Sequence, residues 1–123
     1  MSLQVLIVPV TAFQQNCSVI WCTETMHGAV VDPGGDLDEI LAGVQEQGVQ
    51  LTKILLTHAH IDHAGATADL ARRFKLPIEG PHEGDRYWIE QLPAQARSFG
   101  FAQAETFEPD RWLQQGDTVQ VGN

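Results

Sequence analysis

Residues 57–65 combine three histidines and one aspartate within six positions, and a short apolar run precedes them. That run, KILL at residues 53–56, is continuous rather than alternating, which is typical of a strand buried on both faces of a sheet. Proteins of the α/β class carry their chemistry in the loops that follow the carboxyl ends of such strands. We therefore expect a fold in which this strand presents the histidine-rich loop at one edge of a sheet.

The spacing of four side chains in this loop indicates metal binding. His58 and His60 share parity, so an extended backbone directs both imidazoles to one side, where their nitrogens suit zinc. Asp62 and His63 follow as the loop turns toward a helix, and they offer one oxygen and one nitrogen ligand for a second metal position. With five histidines in 123 residues, this clustering argues against a polar loop with incidental histidines.

Composition narrows the class of protein. A chain of 123 residues with 43% hydrophobic content can form one compact domain with its own core. Seven basic and sixteen acidic residues give a net charge of −9, which repels nucleic-acid backbones and anionic membrane surfaces. The amino terminus lacks the pattern of a signal peptide, and no apolar run is long enough to span a bilayer, so we expect a soluble cytoplasmic protein.

Two cysteines occur in one predicted strand. Cys17 and Cys22 are five residues apart, hence on opposite faces, and their α-carbons are about 16 Å apart at strand spacing. This separation excludes a disulfide between them. We predict two reduced, mostly buried thiols that do not ligate metal.

Stretches rich in β-branched and apolar residues, separated by turn signals, predict an antiparallel meander. The alternating strands and helices of an α/β protein follow it. The first helix begins at the N-cap Asp36, with Glu39 three residues later, and ends at Gly48. The predicted strands span residues 3–8, 17–22, 29–32, 53–56 and 76–80. Further helices are predicted at residues 66–75 and 83–91, and extended segments at 112–113 and 118–121 flank a turn.

Helical spacing also predicts which side chains are buried. The third helix is expected to pack through Tyr87, Trp88 and Leu92 and to end at Pro93, with residues 94–111 forming a loop with helical turns. The predicted inward faces of the first two helices are Leu37, Ile40, Leu41 and Val44, and Thr67, Leu70, Ala71 and Phe74.

The pattern His58-x-His60-x-Asp62-His63 after an apolar strand, with Asp32-Pro33-Gly34 upstream, resembles the metallo-β-lactamase superfamily. More closely, it is similar to the small glyoxalase II-like (hydroxyacylglutathione hydrolase-like) enzymes. The resemblance implies an α/β fold that forms the first half of a four-layer αββα sandwich, in which two sheets pack face to face with helices outside. Supporting similarity extends over segments 16–18, 92–93 and 116–117.

The same resemblance implies a metal-dependent hydrolase of a glutathione thioester. His58 and His60 would hold one metal and Asp62 and His63 the other, with a bridging hydroxide attacking the carbonyl carbon. Zinc is the expected metal, two ions in the full fold, with iron or manganese as alternatives. Asp62 would also act in catalysis by orienting the nucleophile or accepting its proton.

Asp32 ends a predicted strand before a glycine-rich turn and, taken alone, is an ordinary turn carboxylate. In the superfamily the matching aspartate accepts a hydrogen bond from the histidine loop, which fixes the tautomer and orientation of a ring. We therefore expect Asp32 to support the metal ligands without being one. The substrate is expected to be a small molecule, and no residue is assigned to its contacts.

Three other functions remain open. A mononuclear iron enzyme acting on glutathione persulfide belongs to the same superfamily, and lactone or phosphodiester hydrolysis is a second enzymatic alternative. A truncated, non-catalytic metal-binding module is the third. It follows from the ligand count, since two histidines alone leave the tetrahedral shell of zinc half empty.

Full-length superfamily members carry later ligands, namely a histidine, a bridging aspartate and another histidine, whose motifs do not occur in this sequence. We therefore interpret residues 1–123 as one domain truncated before those ligands. Half a sandwich leaves an apolar sheet face and edge uncovered, so we expect self-association, most simply a homodimer.

Several remaining residues are predicted to have structural roles. His27 and His82 are expected to be solvated or capping histidines rather than ligands. The aromatic residues expected in the core or in an interface, rather than in contact with substrate, are Trp88, Trp112, Phe99 and Phe101.

Overall fold

The structure, a computed structural model, describes residues 3–10, 15–99 and 104–121, with the side chains of Asp62 and Phe99 excepted. The predictions for Phe99 and Phe101 therefore lie outside the described part. The described strands form one sheet in the order β1-β2-β3-β4-β5. The strands are β1 (Leu3–Val10), β2 (Gln15–Cys22), β3 (His27–Val31), β4 (Gln50–Leu55) and β5 (Ile78–Glu79). The α-helices are α1 (Leu37–Gln47), α2 (Ile61–Ala64), α3 (Thr67–Phe74), α4 (Arg86–Glu90) and α5 (Leu92–Phe99).

The first three strands form the predicted antiparallel meander. β1 pairs with β2, and β2 with β3, both antiparallel. β1 continues two residues beyond its predicted end and includes Pro9, opposite Asn16. The edge position explains this extension, because a proline is tolerated in a strand whose outer side needs no hydrogen-bonded neighbour.

The other half of the sheet is parallel and places two strand ends side by side. β3 pairs with β4 so that Val31 lies opposite Leu55, and the amide of Asp32 donates to the carbonyl oxygen of Leu55 at 2.9 Å. β4 pairs in turn with β5. Residues that follow β3 and β4 therefore leave the sheet at the same edge.

Helix α1 covers one face of the meander and follows its predicted period. Leu37, Ile40 and Val44 are buried, and α1 packs against β1 and β2. Each such side chain contributes roughly 1.5–3 kcal/mol on burial. Gly48 ends the helix in the left-handed conformation (φ 71°), as predicted.

Asp36 is the N-cap residue of α1, as predicted, but its side chain does not cap the helix. Its backbone is left-handed (φ 49°), and its side chain makes no capping hydrogen bond. An N-cap side chain reaches the first-turn amides from an extended backbone, and the left-handed conformation does not provide that geometry.

The face of β1 that points away from α1 is apolar and exposed. Leu3, Val5 and Ile7 are each more than half exposed, whereas the alternate residues Leu6 and Val8 pack against the core. Successive strand residues point to opposite faces, so the outward set lies on the side away from α1. The apolar sheet face expected from the sequence is thus present on β1.

Three aromatic residues that were expected to pack inward are exposed instead. Thr67 and Leu70 of α3 are buried as expected, but Phe74 is 48% exposed. Phe74 is the last residue of α3, and Lys75 turns the chain in the left-handed conformation, so the ring lies at the helix end. Trp88 is 38% exposed and its neighbour Tyr87 is exposed as well.

The single helix predicted at residues 83–91 is two elements instead, and a further helix follows. A 3-10 turn, Glu83–Asp85, leads into α4, and α5 then begins at Leu92. Ile89 and Leu92 carry the buried contacts of this region. Pro93 does not break a helix; it lies in the first turn of α5, where its missing amide hydrogen leaves no helical bond unmade.

The predicted extended pair near the end of the chain is not formed in residues 104–121. Instead, Arg111 makes an isolated parallel bridge with Glu79, and its carbonyl oxygen accepts from Gly80 at 2.7 Å. The predicted turn is present, because the Gln114 amide donates to Asp117 Oδ2 at 2.8 Å. None of the helices in the described ranges combines the length and apolar character needed to cross a membrane.

Candidate metal centre

Asp32 lies at the centre of a hydrogen-bond network beyond the ends of β3 and β4. Its carboxylate is buried and accepts from the Thr57 amide at 2.8 Å through Oδ1 and from the Thr57 hydroxyl at 2.6 Å through Oδ2. The residue is left-handed (φ 56°), a conformation that aspartate tolerates better than most residues. Thr57 begins the histidine-rich loop, so Asp32 fixes where that loop starts.

Helix α2, which was not predicted, brings His63 back to the same carboxylate. His60 is the N-cap residue of α2, and the His63 amide donates to the His60 carbonyl oxygen at 2.9 Å. The turn places His63 Nδ1 at 2.9 Å from Asp32 Oδ2. Asp32 thereby joins the start of the loop to its end.

Gly65 permits this close return of the chain. A Cβ atom at this position would lie 2.5 Å from the carbonyl oxygen of Gly34, in the turn that follows Asp32. The next amide, Ala66, donates to the Pro33 carbonyl oxygen at 2.9 Å. A side chain at position 65 would push the end of α2 away from the Asp32 turn.

These contacts assign the tautomers of two rings. A carboxylate is an acceptor only, so His63 Nδ1 carries the hydrogen toward Asp32. The single hydroxyl hydrogen of Thr57 also goes to Asp32, so its oxygen accepts from His58 Nδ1, 3.1 Å away. For neutral rings, this network places the lone pair of each on Nε2, the form in which an imidazole ligates a metal.

The three imidazoles of the loop lie together. The ring centroids of His58 and His63 are 3.8 Å apart, and those of His58 and His60 are 5.0 Å apart. His58 is therefore closer to His63 than to His60, the ring with which sequence parity paired it, because α2 turns His63 back over the loop. His60 also packs edge-on against Trp88 at 4.6 Å.

The donor set fits a divalent transition metal. Among the side chains that the structure describes, Asp32, His58 and His63 each place one potential ligand atom within 4.8 Å of the others. The predicted ligand His60 is not part of this group. Imidazole nitrogen and carboxylate oxygen are the ligands of zinc and iron sites in proteins. The backbone of Asp62 lies in α2 beside this group, but its side chain is outside the described part of the structure.

His27 and His82 lie elsewhere. His82 Nδ1 accepts from the Gly84 amide at 2.9 Å and caps the 3-10 turn, in line with the capping role predicted for it. His27 lies in β3, where its amide donates to Thr25 Oγ1 at 3.2 Å. Neither belongs to the group of potential ligands found among the described residues.

Both cysteines are buried and neither is in a disulfide, as predicted. Burial, and then the neighbouring charge of Asp32, raise the pKa of the Cys17 thiol to about 12. The thiol consequently stays protonated at neutral pH, and a protonated thiol is a poor metal ligand.

Two residues that the sequence did not single out hold the histidine loop. The Ala59 amide donates to Asp85 Oδ2 at 3.1 Å, and the Ile61 amide donates to Gln95 Oε1 at 3.0 Å. The acceptors are 26 and 34 residues away along the chain, so no local pattern could have indicated them. Trp88, which was predicted to lie in the core or in an interface, borders His60, a contact that the sequence did not indicate.

Comparison with known proteins assigns this chain to a family. Residues 10–123 match the metallo-beta-lactamase superfamily. The chain belongs to that superfamily. The prediction that it has the α/β fold of the first half of the superfamily's sandwich is confirmed.

Individual relatives narrow the comparison. The hydroxyacylglutathione hydrolase GloC of Haemophilus influenzae is 43% identical over 116 residues, which cover 94% of this chain and 54% of that protein. The crystal structure of TTHA1623 in a di-iron-bound form has a TM-score of 0.81 at 32% identity, covering 93% of this chain and 56% of that one. The B3 metallo-beta-lactamase BLEG-1 has a TM-score of 0.80 at 28% identity, covering 97% and 57%. The chain thus spans about half the length of these relatives.

Proposed function

We propose that this chain contributes the first metal-binding half of a metal-dependent hydrolase that cleaves glutathione thioesters. The observation that carries the proposal is the Asp32 network, which gathers the imidazoles of His58 and His63 and assigns to both the tautomer that ligates metal. The substrate class follows from the 43% identical relative, which is named a hydroxyacylglutathione hydrolase.

Each residue of the loop has a role in this proposal. His58, His60, Asp62 and His63 are the metal ligands contributed by this chain, and Asp62 also orients the nucleophile or accepts its proton. Asp32 is not a ligand: it holds His63 through Nδ1 and, through the Thr57 hydroxyl, His58 as well. Fixing both rings before a metal binds reduces the entropy lost on coordination.

When bound, the metal supplies Lewis acidity at the substrate carbonyl and lowers the pKa of a coordinated water toward about 7. The protein's part is to present nitrogen and oxygen donors at a fixed geometry. We propose zinc, with iron or manganese as alternatives, because imidazole and carboxylate ligands serve all three. Metal analysis of protein purified without chelators identifies the ion.

The uncovered face supports a second proposal, that the 123-residue chain self-associates as a homodimer. Leu3, Val5 and Ile7 form an apolar row on the edge strand. Burial of such surface contributes about 25 cal/mol per Å², and a symmetric pair covers the same patch on both copies.

Hydrolysis of a hydroxyacylglutathione, followed by the release of glutathione thiol, tests the function. We expect turnover by zinc-loaded or iron-loaded protein that also contains the second half of the fold, and none by its His58→Ala variant. Residues 1–123 alone should be poorly active. The matched control is His27→Ala, which removes an imidazole that lies outside the ligand group. Oxygen uptake with a glutathione persulfide, in place of thioester cleavage, would overturn the assignment to a hydrolase.

A further inference from the structure

Side chains, rather than a neighbouring strand, hold the segment that carries His58 and His60. The backbone from residue 56 to residue 60 is neither helix nor strand. Its last support from the sheet is the Leu56 amide, which donates to the Glu79 carbonyl oxygen at 3.0 Å. Beyond that point alternate amides donate to side chains: Thr57 to Asp32 Oδ1 at 2.8 Å, Ala59 to Asp85 Oδ2 at 3.1 Å, and Ile61 to Gln95 Oε1 at 3.0 Å.

The positions of these amides matter because they alternate with the imidazoles. His58 lies between the fixed amides of Thr57 and Ala59, and His60 lies between those of Ala59 and Ile61. The direction of a side chain follows from the dihedral angles of its own residue, so fixing the amides on both sides sets where each ring points. The hydrogen bond from the Ala59 amide to Asp85 therefore affects both histidines, because Ala59 lies between them.

Asp85 is well placed to act as a fixed acceptor. It ends the 3-10 turn Glu83–Asp85, and its own amide donates to the His82 carbonyl oxygen at 2.9 Å. Its side chain is partly buried, and hydrogen bonds to an ionised carboxylate are stronger than those between neutral groups. The loop is thereby tied to an element 26 residues away.

Gln95 provides the side-chain acceptor for the first turn of α2 that the N-cap residue His60 does not provide. The first amides of a helix lack partners within it, and Ile61 begins α2. His60 occupies the N-cap position, yet its side chain makes no capping hydrogen bond, and its ring instead borders Trp88. Gln95 on α5 supplies the missing acceptor, so the imidazole of His60 is not used to cap α2.

We propose that Asp85 and Gln95 are positioning residues of the metal centre, which orient His58 and His60 by fixing the amides of Ala59 and Ile61. This inference rests on the proposed metal-binding function. Neither residue touches metal or substrate in this role; each acts through the backbone of the ligand loop.

The test compares a variant that removes the acceptor with one that keeps it. Asp85→Ala removes it, whereas Asp85→Asn keeps a carbonyl oxygen in its place. Asp110→Ala is the matched control, because Asp110 Oδ2 accepts from the Ile78 amide at 2.7 Å, a bond of the same kind far along the chain from the loop. Gln95→Leu and Gln95→Glu form the second pair. Gln95 Nε2 is buried without a partner in the described structure, so the glutamate loses no existing bond.

Two readouts are measured for each protein: cobalt(II) affinity with its visible absorption spectrum, and the imidazole NMR signals of the metal-free protein. We expect Asp85→Ala and Gln95→Leu to weaken cobalt binding about 10- to 100-fold, to change the cobalt spectrum, and to shift the ring signals of His58 and His60. Asp85→Asn and Gln95→Glu should restore most of the affinity. Asp110→Ala should keep the wild-type affinity and spectrum even if it lowers the melting temperature.

The outcomes separate the two proposals. If Asp85→Ala and Gln95→Leu leave the cobalt affinity, the spectrum and the ring signals unchanged, the positioning role is overturned. An Asp110→Ala protein as impaired as Asp85→Ala would overturn it too, since general destabilisation would then explain both. A wild-type protein that binds no cobalt overturns the proposed function instead, and the ring signals of the metal-free variants then decide the positioning role alone.

Discussion

His63 Nδ1 lies 2.9 Å from Asp32 Oδ2, although the two residues are 31 positions apart. Their meeting depends on the parallel pairing of β3 with β4, which brings both strand ends to one edge, and on α2, which turns the chain back. The same carboxylate reaches His58 through the Thr57 hydroxyl. One buried aspartate therefore orients two of the imidazole rings proposed as ligands, one directly and one through Thr57.

Asp32→Ala should weaken metal binding by about tenfold or more without removing a ligand. The change also leaves the Thr57 amide without its acceptor, so we expect a loss of about 1–3 kcal/mol in the free energy of unfolding. Titration with a chromophoric chelator and urea unfolding measure the two effects. Asp36→Ala, at another left-handed aspartate, is the control; unchanged metal affinity in Asp32→Ala would reduce Asp32 to a turn residue.

Thr57→Val should lower metal affinity about tenfold, because it removes the hydroxyl that fixes the tautomer of His58. Thr57→Ser keeps the hydroxyl and should bind metal nearly as well as the wild type. Both variants retain the amide that donates to Asp32, so the comparison isolates the hydroxyl. Equal affinities in the two variants would contradict the tautomer assignment.

The Cys17 thiol should resist alkylation at pH 8 in the folded protein and react once urea exposes it. Its pKa is raised to about 12 from an ordinary value of 9.0, chiefly by burial, so the folded state holds this proton more tightly than the unfolded chain. The stability linked to this proton is complete below about pH 9 and is lost as the pH rises toward 12. Mass spectrometry of alkylated peptides measures the reactivity, and rapid labelling of Cys17 without urea would contradict the structure.

The 123-residue chain should form dimers that Val5→Lys disrupts. Val5 lies in the middle of the exposed apolar row of β1, and a charge there opposes burial of the face. Val119→Lys is the control, because Val119 is also an exposed apolar residue but lies outside the sheet. Light scattering gives the masses; a monomeric wild-type chain would show that the β1 face does not drive association between copies.

Much of the fold follows from local pattern. The apolar and β-branched residues of β1 and β2, the buried stripe of α1 and the stop at Gly48 all depend on near neighbours in the sequence, and these elements were predicted. The histidine loop after β4 was found because its four ligand-type residues are consecutive or nearly so. Each of these features depends on residues that are close to one another in the sequence.

The parts that were missed depend on distant contacts. Pro93 was interpreted as a helix stop, yet it lies in the first turn of α5, where a proline is tolerated. Trp88 was assigned to the core or an interface, because its apolar character does not reveal that the ring borders a histidine. Asp85 and Gln95 accept from backbone amides. Nearly every residue has such an amide, so the sequence does not indicate which side chain accepts from it.

The central claim is that the histidine loop binds metal, and the most direct measurement is the metal content of wild type and single variants after dialysis against a weak chelator. We expect the wild-type protein to retain zinc or iron, and His58→Ala or His60→Ala to retain almost none, because no neighbouring side chain replaces a lost imidazole nitrogen. His82→Ala, which removes only the cap of the 3-10 turn, should match the wild type. A His58→Ala protein with the full metal content of the wild type would contradict the account.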